Sequence, residues 1–331
     1  MPVNLNFLLR EFKRTGNAQA LSMVTATLKA MAVGGIHDHV GGGFHRYSTD
    51  GQWRLPHFEK MLYDNAQLAV CYVEAYQATG EGPFADIAKR ALDYVLRDLT
   101  HPEGGFYSAE DADSVPPDLA ALEGSEHLKS EGAFYLWTAL ELEQALGDFA
   151  AVFAARYGAR ADGNAPADPH AEVTGKNILY ESMSLDAAAQ EAGVAREGLE
   201  TRMTAALQTL QTRRDKRPRP SLDDKVLTSW NGLMISALAK AAGALGEPRY
   251  LAAAQKAAAF LRENLYDEKP QILWRRWRNG KRAVAAISDD YAFLAQGLID
   301  LFEASGEPQW LQWALELTQV QQKLFEAPGG G

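Results

Sequence analysis

Three stretches of this chain repeat one hydrophobic pattern without gaps. They begin at Asn65, Asn231 and Tyr291, and each runs through a nearly unbroken apolar segment to a glycine fifteen positions on: Gly80, Gly246 and Gly306. Every one of these glycines is followed by Glu, and then by an aromatic residue at the fourth position: Phe84, Tyr250 and Trp310. Self-similarity of this kind marks a repeated supersecondary unit. In the second half of the first copy, Phe84, Ile87, Ala88, Ala91, Leu92, Val95 and Leu99 share one stripe at helical spacing, which predicts an amphipathic helix. The first half, as in Ala66 to Ala75, is apolar all round and predicts a helix buried on every side. Glycine between them suits a left-handed helix C-cap. A weaker copy, with Gly16 in the glycine position, opens the chain. Inner helix, glycine turn and outer helix, stacked in a ring, predict an all-α fold of the (α/α) barrel type. An open solenoid of helix pairs is the competing arrangement.

The hairpins are joined by long links over 34–64, 101–228 and 266–290, rich in glycine, aromatic and charged residues. All leave from the same end of the predicted stack, so polar residues gather at one mouth, where function on a rigid scaffold usually sits. Leu273 to Val284 predicts a β-hairpin around Asn279-Gly280, a pair favoured in type I′ turns. Residues 110–228 form an insertion. Within it, Thr138 to Tyr157 and Leu185 to Arg213 predict helices, Glu131 to Trp137 an aromatic strand, and Gly175 to Leu179 a short extended piece. Residues 159–176 are polar and loop-like, and Arg213 to Pro220 is a basic loop.

Composition narrows the function classes. The 331 residues carry a net charge of −10 and no dense basic stripe, which argues against nucleic acid as a partner. No apolar run approaches the ~18 residues of a membrane span, and the N-terminus lacks a signal-peptide layout, so the expectation is a cytoplasmic protein with no membrane association. One cysteine, Cys71, lies in an apolar run and reads as a small buried hydrophobe.

Candidate chemistry concentrates in the links. Four of the seven histidines, His37, His39, His45 and His57, fall between residues 37 and 57, among Arg46, Tyr47, Glu59, Lys60 and Asp64. Histidine titrates near neutral pH and serves as acid, base or metal ligand. His37, His39, His57 and Glu59 offer zinc-type donors, but their spacing fits no structural zinc signature, so neither a metal nor another cofactor is expected. Three carboxylates crowd into Glu110, Asp111 and Asp113, which need a cation or a shared proton. Asp64-Asn65, Asp224 with Trp230-Asn231, and Asp290-Tyr291 recur near inner-helix N-termini. There they read either as helix caps or as carboxylates and binding groups converging on a sugar. Trp53 and Trp230 could offer sugar-stacking faces or pack in a core.

The run GGIHDHVGGGFHRYSTDGQWRLPHFEKMLYDN over 34–65 resembles the signature region of the spermatogenesis-associated protein 20 family, thioredoxin-domain-containing proteins with bacterial YyaL-like relatives. The resemblance continues, in the family's order, through GGFYSAEDADS (104–114), EGAFYLWT (131–138), GKNIL (175–179), DDKVLTSWNGLMI (223–235) and SDDYAFL (288–294). It implies a six-hairpin (α/α) barrel similar to those of glycosidases and N-acylglucosamine 2-epimerase-type enzymes. Here residues 1–331 would form a single partial copy with about four hairpins. It also implies that complete members carry a thioredoxin-like domain, a possible partner of the barrel, which is expected to be absent ahead of residue 1. The final Gly329-Gly330-Gly331 parallels Gly104-Gly105, as though the chain stops inside a motif.

Three functions follow as expectations. The first is a carbohydrate-active protein of the sugar epimerase or isomerase kind, using two of His37, His39, His45 and His57. Arg46 or Lys60 would polarise a carbonyl, and Asp64 or Asp111 would orient hydroxyls. The second is a glycoside hydrolase using a pair among Glu59, Asp111, Asp113, Asp224 and Asp290. The third is a non-catalytic barrel that binds a sugar-like ligand or a partner.

Overall fold

A computed structural model describes residues 2–166 and 173–327. The terminal glycines read as a broken motif, and residues 167–172 of the polar loop, lie outside the described residues. Helices span Pro2–Thr15 (α1), Ala18–Val33 (α2), Leu62–Thr79 (α3), Gly82–Asp98 (α4), Ala139–Leu146 (α5), Ala150–Tyr157 (α6), Leu185–Ala192 (α7), Arg196–Arg214 (α8), Thr228–Leu245 (α9), Pro248–Leu265 (α10), Ser288–Ser305 (α11) and Pro308–Phe325 (α12). They fall into two compact units. One comprises residues 2–25, 61–109 and 222–327, and the other 26–60, 110–166 and 173–221.

The first unit holds the repeats. Inner helices α3, α9 and α11 pack side by side with α9 in the middle, and each is followed by its outer helix, α4, α10 or α12, packed against it. The turn glycines Gly16, Gly80, Gly246 and Gly306 have φ of 71°, 73°, 67° and 70°, the left-handed conformation expected of the C-caps. On α4 the predicted stripe is buried at Phe84, Ala88, Ala91, Leu92 and Val95. The inner helices α9 and α11 meet backbone to backbone. A Cβ on Gly297 would lie 2.4 Å from the Gly232 carbonyl oxygen, and one on Gly232 would lie 2.5 Å from the Phe293 carbonyl oxygen. The β-hairpin pairs Ile272–Arg278 with Lys281–Ala285, and Asn279 (φ 49°) and Gly280 (φ 73°) form its left-handed turn.

The second unit departs from the sequence expectations at its glycines. The helix expected over Thr138 to Tyr157 breaks at Gly147 (φ 53°, ψ −132°), where a single 3₁₀ turn separates α5 from α6. The helix expected from Leu185 ends at Gly193 (φ 65°), and α8 starts afresh at Arg196. Each glycine enters a region closed to helix continuation and cheap only for glycine. The strand expected over Glu131 to Trp137 shrinks to Ser130–Glu131, paired with Asp113–Ser114, because Gly132 (φ 73°) turns the chain inward. Phe134, Tyr135, Leu136 and Trp137 are then all buried, and Trp137 bridges Asn177 in the extended piece. Trp137, Phe153, Leu199 and Leu210 centre one apolar cluster, and Phe58, Phe134, Leu136 and Ile178 centre another. Among the described residues, no helix is long and apolar enough to cross a membrane.

Candidate active site

In the second unit the glycine-rich loop wraps a buried ion cluster. The Asp38 Oδ1 accepts from Arg214 Nη1 at 2.9 Å and from the backbone N–H groups of Val40 and Gly41, both at 3.0 Å. Its Oδ2 accepts from Lys60 Nζ at 2.7 Å, and Lys60 also donates to the Gly42 carbonyl at 2.8 Å. All three charged side chains are 1–4% exposed. Gly41 makes room for the cluster, since a Cβ there would lie 2.0 Å from Arg214 Nη2. Burial opposes ionisation of Asp38, but the charges of Arg214 and Lys60 outweigh it and hold the carboxyl well below the usual range.

Three of the four clustered histidines are built into this interior. His37 Nδ1 donates to the Ala32 carbonyl at 3.1 Å, His39 Nε2 to the Gly34 carbonyl at 2.9 Å, and His45 Nδ1 to the Phe58 carbonyl at 2.9 Å. A carbonyl only accepts, so each of these nitrogens carries the proton. Burial, reinforced by the Lys60 charge, pushes the His45 imidazole down to about 3. His37, His39 and His45 are 1–3% exposed and line a cavity of about 20 Å³, which is space for roughly one water molecule and not for a sugar ring. The unit therefore does not present them as a substrate-facing pair.

His57 is different. Its hairpin pairs Tyr47 with His57 and Ser48 with Pro56, and the Tyr47 and His57 rings stack at 5.0 Å. The His57 side chain is 26% exposed, and its Nδ1 lies 2.7 Å from Glu131 Oε1. That oxygen also accepts from the Phe58 N–H at 3.1 Å. On the other side of the ring, Nε2 stands 3.8 Å from Glu59 Oε2, which is held by Arg46 Nη1 at 2.8 Å. Asp113 lies opposite Glu131 in the short ladder. Its proton affinity is raised by burial and then by the negative charges of Asp111 and Glu131, against the milder opposing effect of His57 and Lys129. A carboxylate that fixes one ring nitrogen leaves the other to exchange protons. Trp53 sits in the loop of the same hairpin.

The first unit fixes the other predicted residues in its framework. Asn65 and Asn231 do not cap their helices. Each donates its side-chain amide to the carbonyl four residues back, Met61 or Leu227, at 2.9 Å. Asn231 further accepts from the Phe106 N–H at 2.8 Å and donates to the Phe106 carbonyl at 3.0 Å. Asp290, fully buried, accepts from the Ser229 and Ile287 N–H groups and from Arg275 at 3.0–3.1 Å. Asp224 pairs with Arg278, Trp230 meets Tyr63 edge to face, and Asp64 and Tyr291 are buried at 8% and 2%.

Sequence reasoning missed Glu131, Asp38 and Arg214. Glu131 is 74 positions from His57, and Arg214 is 176 from Asp38, separations that carry no local periodic signal. Of the basic loop read from Arg213 to Pro220, Arg214 and Arg217 turn inward while Lys216 and Arg219 stay exposed. Arg217, 8% exposed, donates to the carbonyls of Phe134 and Leu136 and lies 4.0 Å over the Trp137 ring. Among the described residues no group of three or more His, Cys, Asp or Glu side chains is arranged to hold a metal ion.

No family model matches the chain. Spermatogenesis-associated protein 20 of Mus musculus is 42% identical over 354 residues, covering 100% of this chain and 44% of that protein. The Homo sapiens protein of the same name is 42% identical with the same coverage, and an uncharacterized protein of Caenorhabditis elegans is 36% identical over 96% of this chain. Among solved structures, a glycoside hydrolase family 76 mannosidase from Bacteroides thetaiotaomicron matches 99% of this chain and 60% of its own at 12% identity and a TM-score of 0.52. The unsaturated glucuronyl hydrolase of Bacillus sp. GL1 matches 97% and 60% at 10% identity and a TM-score of 0.53. At such identities the likeness establishes the fold, that of the (α/α)-barrel glycosidases, and nothing of the chemistry. The chain spans less than half the length of the curated relatives it matches, and over that span it belongs to the spermatogenesis-associated protein 20 family.

Proposed function

We propose that this chain carries proton-transfer chemistry on a sugar-like substrate, of the epimerase or isomerase kind, with His57 as the base. The observation that carries this reading is the 2.7 Å contact from His57 Nδ1 to Glu131 on a ring that remains a quarter exposed. In the tautomer with the proton on Nδ1 toward Glu131, the ring offers the Nε2 lone pair to a C–H acidified by a neighbouring carbonyl. Asp113, opposite Glu131 in the ladder and with its proton affinity raised by burial and by the charges of Asp111 and Glu131, is the group we assign to the second proton. Arg46, paired with Glu59, stands beside them as a donor for a carbonyl or hydroxyl oxygen. The fold shared with sugar-cleaving enzymes supports the substrate class by analogy only.

The raised proton affinity of Asp113 favours one second reading, glycoside hydrolysis, which needs a protonated carboxyl opposite an ionised one. Glu59 would then be its partner. One experiment separates the two. The intact protein is incubated in D₂O with free aldoses and ketoses, and in parallel with glycosides. Deuterium entering the carbon next to the carbonyl, lost in His57→Ala, supports proton transfer. Release of reducing ends that survives His57→Ala and disappears in Asp113→Asn supports hydrolysis. Silence of the folded protein in both assays overturns the enzymatic reading in favour of a binding barrel.

A further inference from the structure

One packing rule joins the inner helices of the first unit. Counted back from the turn glycines, Pro2 and Gly232 stand fourteen residues before Gly16 and Gly246, while Cys71 and Gly297 stand nine before Gly80 and Gly306. These are the positions at which α1 meets α3 and α9 meets α11. Cys71 Sγ donates to the Pro2 carbonyl at 3.6 Å, and a Cβ on Gly297 would lie 2.4 Å from the Gly232 carbonyl oxygen. The fourteenth position of one helix thus meets the ninth of the next. Charge follows the same order. Arg10, Glu74, Lys240 and Asp300 each stand six residues before their glycine, and their signs alternate along the row α1, α3, α9, α11. Arg10 pairs with Glu74, and Lys240 with Asp300 at 2.9 Å.

The row has two uncovered ends. On α11 the fourteenth position is Ala292, which is exposed, as are Phe293, Gln296 and Ile299 along the same flank. On α1 the ninth position is Phe7, 67% exposed, with Val3 at 61% one turn before it. Exposed apolar side chains grouped on one flank mark an interaction surface. The two ends are complementary. The rule sets small Ala292 against large Phe7, and the alternation that stops at the anion Asp300 is continued by a cation, which Arg10, half exposed, supplies. Like ends do not match. Two α11 flanks crossing antiparallel about Gln296 would set exposed Asp289 against exposed Glu303, a repulsive pairing.

We infer that α11 of one copy of this chain docks α1 of a second copy, continuing the row of inner helices from one molecule into the next. The contact joins two different surfaces, so each copy keeps one free end and association proceeds head to tail. It is independent of the reading of the His57 site.

The test is sedimentation velocity of the intact protein from low to high micromolar concentration, alongside thermal unfolding. The wild type sediments as progressively larger species as concentration rises. Phe7→Glu and the double variant Phe293→Glu/Ile299→Glu each weaken association about tenfold or more. Both unfold at the wild-type temperature, because the altered side chains are exposed. Mixed in equal amounts, the two variants form a dimer and nothing larger, since one intact α1 end and one intact α11 end remain between them. Leu315→Glu, at an exposed position on α12, associates as the wild type does. A wild type that stays monomeric throughout overturns the inference and leaves the flank to a different partner. Association that survives Phe7→Glu but not the α11 variant overturns it in favour of α11 pairing with itself. It is equally overturned if mixing the variants restores no dimer, or if Leu315→Glu abolishes association as well.

Discussion

Arg214 reaches Asp38 across 176 positions of sequence, with its Nη1 at 2.9 Å from Oδ1 and both side chains nearly sealed from solvent. Lys60 holds the opposite carboxylate oxygen, so one anion bridges two buried cations, with the charge of buried Glu110 acting on both as well. Removing that anion alone takes from both cations the carboxylate they share and leaves only the more indirect effect of Glu110. Asp38→Asn should destabilise the protein by about 3–5 kcal/mol in chemical unfolding, the cost typical of breaking a buried pair. An Asp38→Asn loss below about 1 kcal/mol would show that water reaches the cluster.

His45 predicts an acid limb. Its imidazole is pushed down to about 3 in the folded protein, against about 6.5 in an unfolded chain. The unfolded state therefore binds the extra proton first. The neutral ring contributes stability that is fully present above pH ~6.5 and is lost progressively as pH falls toward 3, by up to ~5 kcal/mol. Asp38, whose carboxyl is held low, adds a second loss only below pH ~4. His45→Asn should cost stability at pH 8 yet flatten the dependence between pH 6.5 and 4. An unchanged slope in that variant would assign the limb to other groups.

The backbone contact between α9 and α11 makes a steric prediction. Gly232→Ala and Gly297→Ala each place a methyl group 2.4–2.5 Å from a carbonyl oxygen that cannot rotate away. Each should cost about 1–3 kcal/mol, and more where the helices cannot separate. Gly243→Ala on the same helix meets nothing within 4 Å and should be neutral or slightly stabilising. Equal melting temperatures for all three variants would refute the close approach.

For the His57–Glu131 couple, Glu131→Gln keeps the shape but can present an N–H toward Nδ1. Turnover in the deuterium-exchange assay should fall about a hundredfold, with substrate affinity within a few-fold. If kcat holds and only KM rises, Glu131 merely shapes the pocket.

The repeat was legible because it is local. Gly80, Gly246 and Gly306 announce helix ends at fixed distances from apolar runs, and all three carry the expected φ. Gly147 and Gly193 lie inside helical periodicity, so nothing in the pattern said they would leave it. The Glu131 to Trp137 run had the composition of a strand, but burial on all sides after the Gly132 turn produces the same composition. Near the candidate site, the sequence exposed residue types but not roles. His37, His39, His45 and His57 look alike in the chain, and only their partners separate three interior rings from one that meets solvent. Asn65 and Asn231 were read either as caps or as sugar-binding groups because of their place near helix starts, and each bonds the carbonyl one turn back.

The discontinuity of the second unit has a consequence during synthesis. Asp38 and Lys60 leave the ribosome long before Arg214, and residues 61–109, which belong to the other unit, are made in between. Until the end of α8 emerges, the glycine-rich loop lacks its guanidinium partner, and Asp38 Oδ1 has only the Val40 and Gly41 N–H groups while Lys60 holds Oδ2. The early segment completes its cluster only after α8 is made, whereas α3 and α4, which lie between, can already pair helix with helix.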